Sequence, residues 1–190
     1  MSSSDAKDLF TSIPVLYSID RTIELLYENN NTYNKYNLSS KVLRNLLIIA
    51  TKDIIFSCNG NLYKQIDGVA MGSPLGPLLT NVYMSYIDAK IINDSPVPII
   101  FYQRYVNDTF MVMRSIDDVK PFNSWLNSID SNIKFTYEIE KDNQISFLDV
   151  KVIRSENNKI TTKVHTKLMD TGLLPNYKAL MPMVYERSAI

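Results

Sequence analysis

The chain has 190 residues, 45% of them hydrophobic and 21% charged, a balance that excludes a largely disordered protein and suits one domain with its own core. Its 20 lysines and arginines equal its 20 aspartates and glutamates, so no net charge attracts it to nucleic acid or to an anionic membrane, and a nucleic-acid site must depend on a local patch. One cysteine and one histidine exclude an internal disulfide and the usual Cys/His zinc sites, and without a signal sequence or a membrane-length apolar run we expect an intracellular protein, in the nucleus or the cytoplasm.

The first part of the chain predicts two helices and a hairpin. Apolar residues recur at helical spacing over residues 18–28 and again over residues 41–52, where a preceding serine is a suitable N-cap. The dipeptide Asn59-Gly60 then separates two short apolar runs, which is the strongest short-range signal for a β-hairpin. Cys58 lies in the first of these runs, and we expect it to be buried as a small hydrophobic residue.

The next segment begins with an unusual loop. Three of the five glycines and two of the eight prolines fall in the first half of residues 67–91, before a helical pattern begins. A hairpin over residues 101–114 and a helix over residues 117–128 follow, and then three predicted strands, over 133–140, 145–154 and 159–167. Helices that alternate with antiparallel hairpins predict an α+β fold, with helices packed on one face of an antiparallel sheet.

The predicted tip of the hairpin over residues 101–114 carries Asn107 and Asp108. Both residue types are common in two-residue turns, because they tolerate positive φ and hydrogen-bond to their own backbone. We expect Tyr105 to brace the turn by packing. Local turn chemistry alone is a sufficient explanation of the Asn-Asp pair until the rest of the chain is considered.

Five sequence blocks occur in order along the chain: SSSDAKDLFTSIP, QIDGVAMGSPLGP, YVND, NIKFTYE and SFLDV. In this order they resemble the reverse transcriptase domain, and most closely that of the Penelope-like retroelements. The second block is long and unusual, and four others lie around it in the expected order, so the match is far more specific than a lone short motif. The resemblance implies a palm-like domain over residues 1–170 and the start of a truncated thumb or connection over residues 171–190.

The resemblance implies an RNA-directed DNA polymerase that adds deoxynucleoside triphosphates to the primer of an RNA or DNA primer-template. This reaction uses two Mg²⁺ ions about 4 Å apart, or Mn²⁺ in their place, which carboxylates must hold. Asp5 matches the carboxylate of the first block, and Asn107 and Asp108 match the pair of the third block. The implied catalytic residues are therefore Asp5, Asn107 and Asp108, with Asp5 and Asp108 as metal ligands.

Other matched positions surround the nucleotide and the primer. Phe10 matches the bulky residue that crowds a ribose 2′-hydroxyl, and a core aromatic residue is the alternative reading. Phe147 and Leu148 match the region that supports the primer end, or belong to an ordinary half-buried strand. The resemblance implies nucleotide and template contacts for the loop residues Gly68, Gly72, Ser73, Pro74 and Gly76. A tight turn before a helix is the alternative reading, and it is compatible with those contacts.

Departures from the family pattern count against activity. The family has aspartate where this chain has Asn107, and a neutral amide cannot supply the negative charge that bridges two divalent ions. Only four residues precede Asp5, and the serines among them predict a poorly anchored carboxylate. Because so few residues precede Asp5, we expect the fingers to be missing, and because the chain stops at residue 190, we expect most of the thumb to be missing.

Three hypotheses follow from the sequence. The chain is an impaired or inactive reverse transcriptase palm, or a catalytically dead retroelement remnant that binds nucleic acid or a protein partner, or an unrelated α+β interaction domain. Close approach of Asp5 and Asp108 favours the first two, whereas their placement on opposite faces favours the third. No membrane partner is expected in any of these cases.

Overall fold

The computed structural model describes residues 1–27, 38–52, 54–155, 157 and 159–166. By its contacts the chain divides into two compact units, Met1–Ile145 and Ser146–Ile190. The predicted boundary between palm and thumb, at residue 171, lies outside the described residues. Within the described ranges, no helix combines the length and the apolar character needed to cross a membrane.

Among the described residues, four helices lie close to where the sequence predicts them, and a short helix over residues 9–12 is not predicted. They are α1 Leu9–Ser12, α2 Val15–Tyr27, α3 Ser40–Thr51, α4 Gly76–Asp94 and α5 Val119–Ile129, the last preceded by a 3₁₀ turn at Ile116–Asp118. Ser39 caps α3, and its side chain accepts a hydrogen bond from the N–H of Val42 at 3.3 Å. α2 begins three residues earlier than predicted, since Val15 continues the buried face formed by Ser18, Ile19 and Thr22.

The strands form a main antiparallel sheet and two smaller sheets. In chain order they are β1 Ser2–Lys7, β2 Ile55–Cys58, β3 Asn61–Lys64, β4 Ile99–Tyr105, β5 Asp108–Met113, β6 Lys134–Ile139, β7 Gln144–Phe147, β8 Val150–Arg154 and β9 Ile160–Val164. The main sheet has the order β4-β5-β1-β6, and every neighbouring pair in it is antiparallel. The predicted α+β fold is confirmed.

One face of the main sheet packs against the helices. Residues that alternate along its central strands are buried, namely Ser2, Ser4, Ala6, Thr109 and Met111. Of these, Ala6 and Met111 belong to one core cluster with apolar residues of α2, α4 and α5. Because successive side chains of a strand point to opposite sides, the intervening residues, including Asp5 and Asp108, lie on the other side, which we call the open face.

The hairpin β2–β3 turns at Asn59 and Gly60, as predicted, with φ angles of 50° and 78°. All residues of both strands are exposed, so the expectation that Cys58 is buried is wrong. The reason is that these strands form a separate two-stranded sheet and do not join the main sheet.

The described part of the second unit consists of the end of β7 and the hairpin β8–β9, in a sheet of order β7-β8-β9. Val150 pairs with Val164 and Arg154 with Ile160 across this hairpin. The strand predicted over 145–154 is divided in two, because Leu148 adopts a left-handed φ of 54° that interrupts the extended backbone.

Candidate active site

The hairpin between β4 and β5 turns at Val106 and Asn107, one residue earlier than the sequence suggested. Tyr105 pairs with Asp108 across the hairpin, so Asp108 is the first residue of β5 and not part of the turn. Val106 has a φ of 54°, a conformation that is strained for a β-branched side chain. Tyr105 is 61% exposed and does not brace the turn by burial, contrary to expectation.

Asp5 lies in an interior strand of the main sheet. β1 is paired with β5 on one side and with β6 on the other, so the expectation of a poorly anchored carboxylate is wrong. Asp5 faces Asp108 directly across the β1–β5 pair. Residues that face each other in an antiparallel pair project to the same side of the sheet. The fold therefore brings the carboxylates of the first and third blocks together on the open face.

Asn107 connects this pair to the turn by hydrogen bonds. Its side-chain Nδ2 donates to Oδ1 of Asp5 at 2.6 Å, and its main-chain oxygen accepts from the N–H of Ala6 at 3.0 Å. A carboxylate oxygen accepts and does not donate, so the amide must present its NH₂ group to Asp5. The amide oxygen of Asn107, which is the atom that could act as a metal ligand, is consequently the one turned away from Asp5.

This donor set does not fit a pair of divalent ions. Mg²⁺ takes oxygen ligands, and two such ions require several negative charges around them. Asp5 and Asp108 supply two carboxylates, but the third position presents an N–H donor. In the part of the chain that the structure describes, no group of three or more His, Cys, Asp or Glu side chains could hold a metal ion.

An ionic network behind the turn was not predicted. Arg104 of β4 forms a two-pronged ion pair with Asp88 of α4, with Nη2 2.7 Å from Oδ2 and Nε 2.9 Å from Oδ1. Its Nη1 also donates to the main-chain oxygen of Val106 at 3.0 Å, and its Nη2 to Oδ1 of Asn81 at 3.1 Å. The guanidinium group therefore ties the backbone of the turn to α4.

Tyr102 joins this network, since its hydroxyl donates to Oδ1 of Asp88 at 2.6 Å. Burial, helped by this hydrogen bond, raises the pKa of the Tyr102 phenol above its ordinary value of 10.0. The sequence contains a signal for the network, because alternation places Tyr102 and Arg104 on the same side of β4, opposite to Tyr105. A cation on the core side of a strand requires an acidic partner, but only the structure shows that the partner is Asp88.

Phe10 and the glycine loop pack together, whereas the contact of Phe10 with a ribose stays a prediction. The main-chain oxygen of Phe10 accepts from the N–H of Val69 at 2.7 Å, and its ring lies beside Gly76, where an added Cβ would be 3.6 Å from Cδ1. Gly68 has a φ of 77° and lies so close to Thr11 that a Cβ would be 2.3 Å from the main-chain oxygen of Thr11. These contacts hold the loop against α1, which directly follows β1 and Asp5.

The rest of the loop forms the entry to α4. The N–H of Ser73 donates to the main-chain oxygen of Ala70, and the N–H of Gly76 to that of Ser73, both at 3.0 Å. Gly72, with a φ of 90°, and Pro74 are exposed. This geometry suits a tight turn before a helix and leaves an accessible loop surface, so the nucleotide and template contacts of these residues stay a prediction.

Phe147 and Leu148 belong to the second unit. Phe147 is half-buried at the end of β7, and Leu148 is 39% exposed. Their support of a primer end stays a prediction.

The sequence matches no protein-family model and no curated protein sequence. Among solved structures, the fold is similar to that of telomerase from Candida albicans, determined in complex with a TWJ fragment of telomeric RNA. The TM-score is 0.60 at 15% sequence identity, and the match covers 90% of this chain but only 32% of the telomerase chain. At this identity the likeness shows the fold alone. The chain therefore shares its fold with about a third of this telomerase chain.

Proposed function

We propose that this chain is a reverse transcriptase palm of Penelope-like retroelement origin that binds a primer-template and has lost most or all of its nucleotidyl transfer. The observation that carries the proposal is the hydrogen bond from Asn107 to Asp5, on the open face beside Asp108. The fold shared with telomerase supports the polymerase part of the proposal, and the five sequence blocks support the retroelement origin.

Asn107 accounts for the loss of activity. An amide at this position removes one negative charge from the place where nucleotidyl transfer needs it, and its N–H group engages one of the two remaining carboxylates. Removal of a single charge-stabilising group commonly costs about 10²–10³-fold in kcat. We therefore expect nucleotidyl transfer that depends on Mg²⁺ or Mn²⁺ from a variant that has aspartate at position 107.

The binding part of the proposal depends on a local basic patch, because the chain has no net charge. Lys7 and Lys134 face each other across the β1–β6 pair, and both are exposed. Lys7 is two residues after Asp5 on the same strand, so both lysines lie on the open face. Phosphates of a primer-template that approaches Asp5 and Asp108 would meet these two ammonium groups first.

The loop residues complete the proposed binding surface. Phe10 lies in α1 with its ring beside Gly76. In the proposed complex it limits the space next to the sugar of a bound nucleotide. The exposed residues Gly72 and Pro74 contact the template or the incoming deoxynucleoside triphosphate.

Primer extension on an RNA template tests the catalytic part. With Mg²⁺ or Mn²⁺ present, we expect no measurable product from the natural chain and clear extension by Asn107→Asp. The double variant Asp5→Asn/Asn107→Asp is the matched control and should be inactive. Efficient extension by the natural chain would overturn the proposed loss, and inactivity of a folded Asn107→Asp variant would show that a further part of the polymerase is needed.

Titration with an RNA–DNA primer-template at several salt concentrations tests the binding part. We expect affinity to fall with salt, and Lys7→Gln/Lys134→Gln to reduce the slope of log K against log salt by up to about 2. Lys41→Gln/Lys120→Gln, which removes two exposed lysines of α3 and α5, should leave the slope unchanged. No binding by the natural chain would contradict a nucleic-acid function.

A further inference from the structure

Asp5 and Asp108 create an electrostatic problem that the fold has to solve. They face each other on neighbouring strands of the main sheet. Like charges that face each other in a sheet are destabilising. In a two-metal centre, the cations between the carboxylates offset this repulsion. In this chain the Nδ2 of Asn107 donates to Oδ1 of Asp5 at 2.6 Å, and so places a hydrogen-bond donor beside the pair.

The position of the Asn107 side chain is set by contacts that involve no metal. The main-chain oxygen of Asn107 accepts from the N–H of Ala6 at 3.0 Å. One residue earlier, the main-chain oxygen of Val106 accepts from Nη1 of Arg104 at 3.0 Å, and Arg104 is itself held by Asp88. The turn backbone is thus anchored to β1 on one side and to α4 on the other. The turn that carries the Asn107 amide is therefore positioned next to Asp5 by hydrogen bonds within the protein.

A carboxylate at position 107 would make the contact with Asp5 repulsive instead of attractive. It would carry a negative charge within hydrogen-bonding distance of Asp5 and would have no N–H to donate. Three carboxylates would then occupy β1, the turn and the first residue of β5. Such a cluster is stable only when a cation or another donor compensates it.

We propose that the Asn107 amide is an internal substitute for a divalent cation, which makes the folding stability of this palm independent of metal. The corollary is that Asn107→Asp converts the chain into a protein whose stability depends on divalent cations. The inference rests on the proposed function only in treating this turn as the counterpart of a metal-binding turn. Its readout is thermal stability, so it can fail or succeed independently of nucleic-acid binding and polymerase activity.

Thermal unfolding of the full chain, followed by circular dichroism in EDTA and in millimolar Mg²⁺ or Mn²⁺, tests the proposal. For the natural chain we expect the same midpoint under all conditions, within about 1 °C. For Asn107→Asp we expect a midpoint about 4–8 °C lower in EDTA and largely restored by either cation. A variant that is unfolded in EDTA and folded in Mg²⁺ would support the proposal equally.

Two further variants separate the charge effect from general damage. Asn59→Asp adds the same charge at the two-residue turn of β2–β3, and its midpoint should not respond to cations. The exchange variant Asp5→Asn/Asn107→Asp keeps one carboxylate and one amide in contact, and should regain most of the lost stability in EDTA.

Two outcomes overturn the proposal. In the first, Asn107→Asp is as stable as the natural chain in EDTA. In the second, neither cation restores the stability of Asn107→Asp, and the exchange variant is also destabilised. If Asn107→Asp fails to fold under every condition, the exchange variant decides: recovery in EDTA supports the proposal, and failure to recover overturns it.

Discussion

Arg104 of β4 and Asp88 of α4 form an ion pair in which both side chains are mostly buried, 11% and 21% exposed, with Nη2 2.7 Å from Oδ2. The planar guanidinium also reaches the main-chain oxygen of Val106, so one side chain joins the helix layer to the turn that carries Asn107. A lysine could not replace it, because a single ammonium group does not present donors in a fixed fork. The geometry of the candidate site therefore depends in part on an ion pair between β4 and α4.

Asp88→Asn should destabilise the protein strongly. The substitution leaves the Arg104 guanidinium in a mostly buried position without its counter-charge, and such losses amount to about 3–5 kcal/mol in the free energy of unfolding. Urea denaturation measures the change. Asp94→Asn on the same helix is the matched control, since Asp94 pairs with Lys90 where both side chains are about half exposed, and it should have a much smaller effect. Equal losses for the two variants would contradict the importance of the Arg104 pair.

Stability should fall at high pH because of Tyr102 and Tyr83. Burial and hydrogen bonds to Asp88 and Asp130, respectively, raise the pKa of both phenols above 10.0. A tyrosine of the unfolded chain ionises near pH 10, whereas these two keep their protons in the folded state. Above about pH 10 the unfolded state therefore binds fewer protons, and the free energy of unfolding decreases as pH rises.

Urea midpoints measured across that pH range check the sign and the assignment. Tyr102→Phe should show a shallower fall than the natural chain, whatever its stability at neutral pH. Tyr63→Phe, at an exposed position of β3, should follow the natural slope. An unchanged slope in Tyr102→Phe would show that its phenol is not held protonated by the fold.

Gly68→Ala and Gly72→Ala should differ sharply although both glycines have positive φ, 77° and 90°. At Gly72 nothing lies within 4 Å of an added Cβ, so only the backbone strain of about 1 kcal/mol applies. At Gly68 the Cβ would be 2.3 Å from the main-chain oxygen of Thr11, so α1 and the loop would have to separate. We expect Gly68→Ala to cost more than about 3 kcal/mol in urea denaturation. Similar costs at the two positions would argue against the close approach of loop and helix.

Local signals in the sequence predicted the elements whose structure is decided locally. Asn59-Gly60 places the β2–β3 turn because both residues readily adopt positive φ. The helical spacing of α3 and the serine before it place that helix. The predicted position of the turn between β4 and β5 is wrong by one residue, because no local rule favours Val106 at positive φ. That turn is stabilised by Ala6, which is distant in sequence, and by the neighbouring Arg104, whose guanidinium is held by the distant Asp88.

The candidate site likewise contains residues that the sequence predicts and a contact that only the structure shows. The ordered blocks identified Asp5, Asn107 and Asp108, and the register of β1 and β5 brings them together. The serines before Asp5 predict a poorly anchored carboxylate, because small polar residues are not typical of a central strand. The position of Asp5 is instead decided by the pairing of β1 with β5 on one side and β6 on the other. The sequence does not predict that Asp88 pairs with Arg104, because the two residues lie on different elements and no periodic pattern connects them.

The interior position of β1 also has a consequence for the order of folding. The partners of Asp5 lie far along the chain: Asn107 is 102 residues later and Thr136 is 131 residues later. Contacts of such large sequence separation form slowly, because a long loop must close before they contribute any stability. β1 therefore cannot complete its pairing until β6 has been synthesised, and the surroundings of Asp5 are among the last parts of the main sheet to take shape.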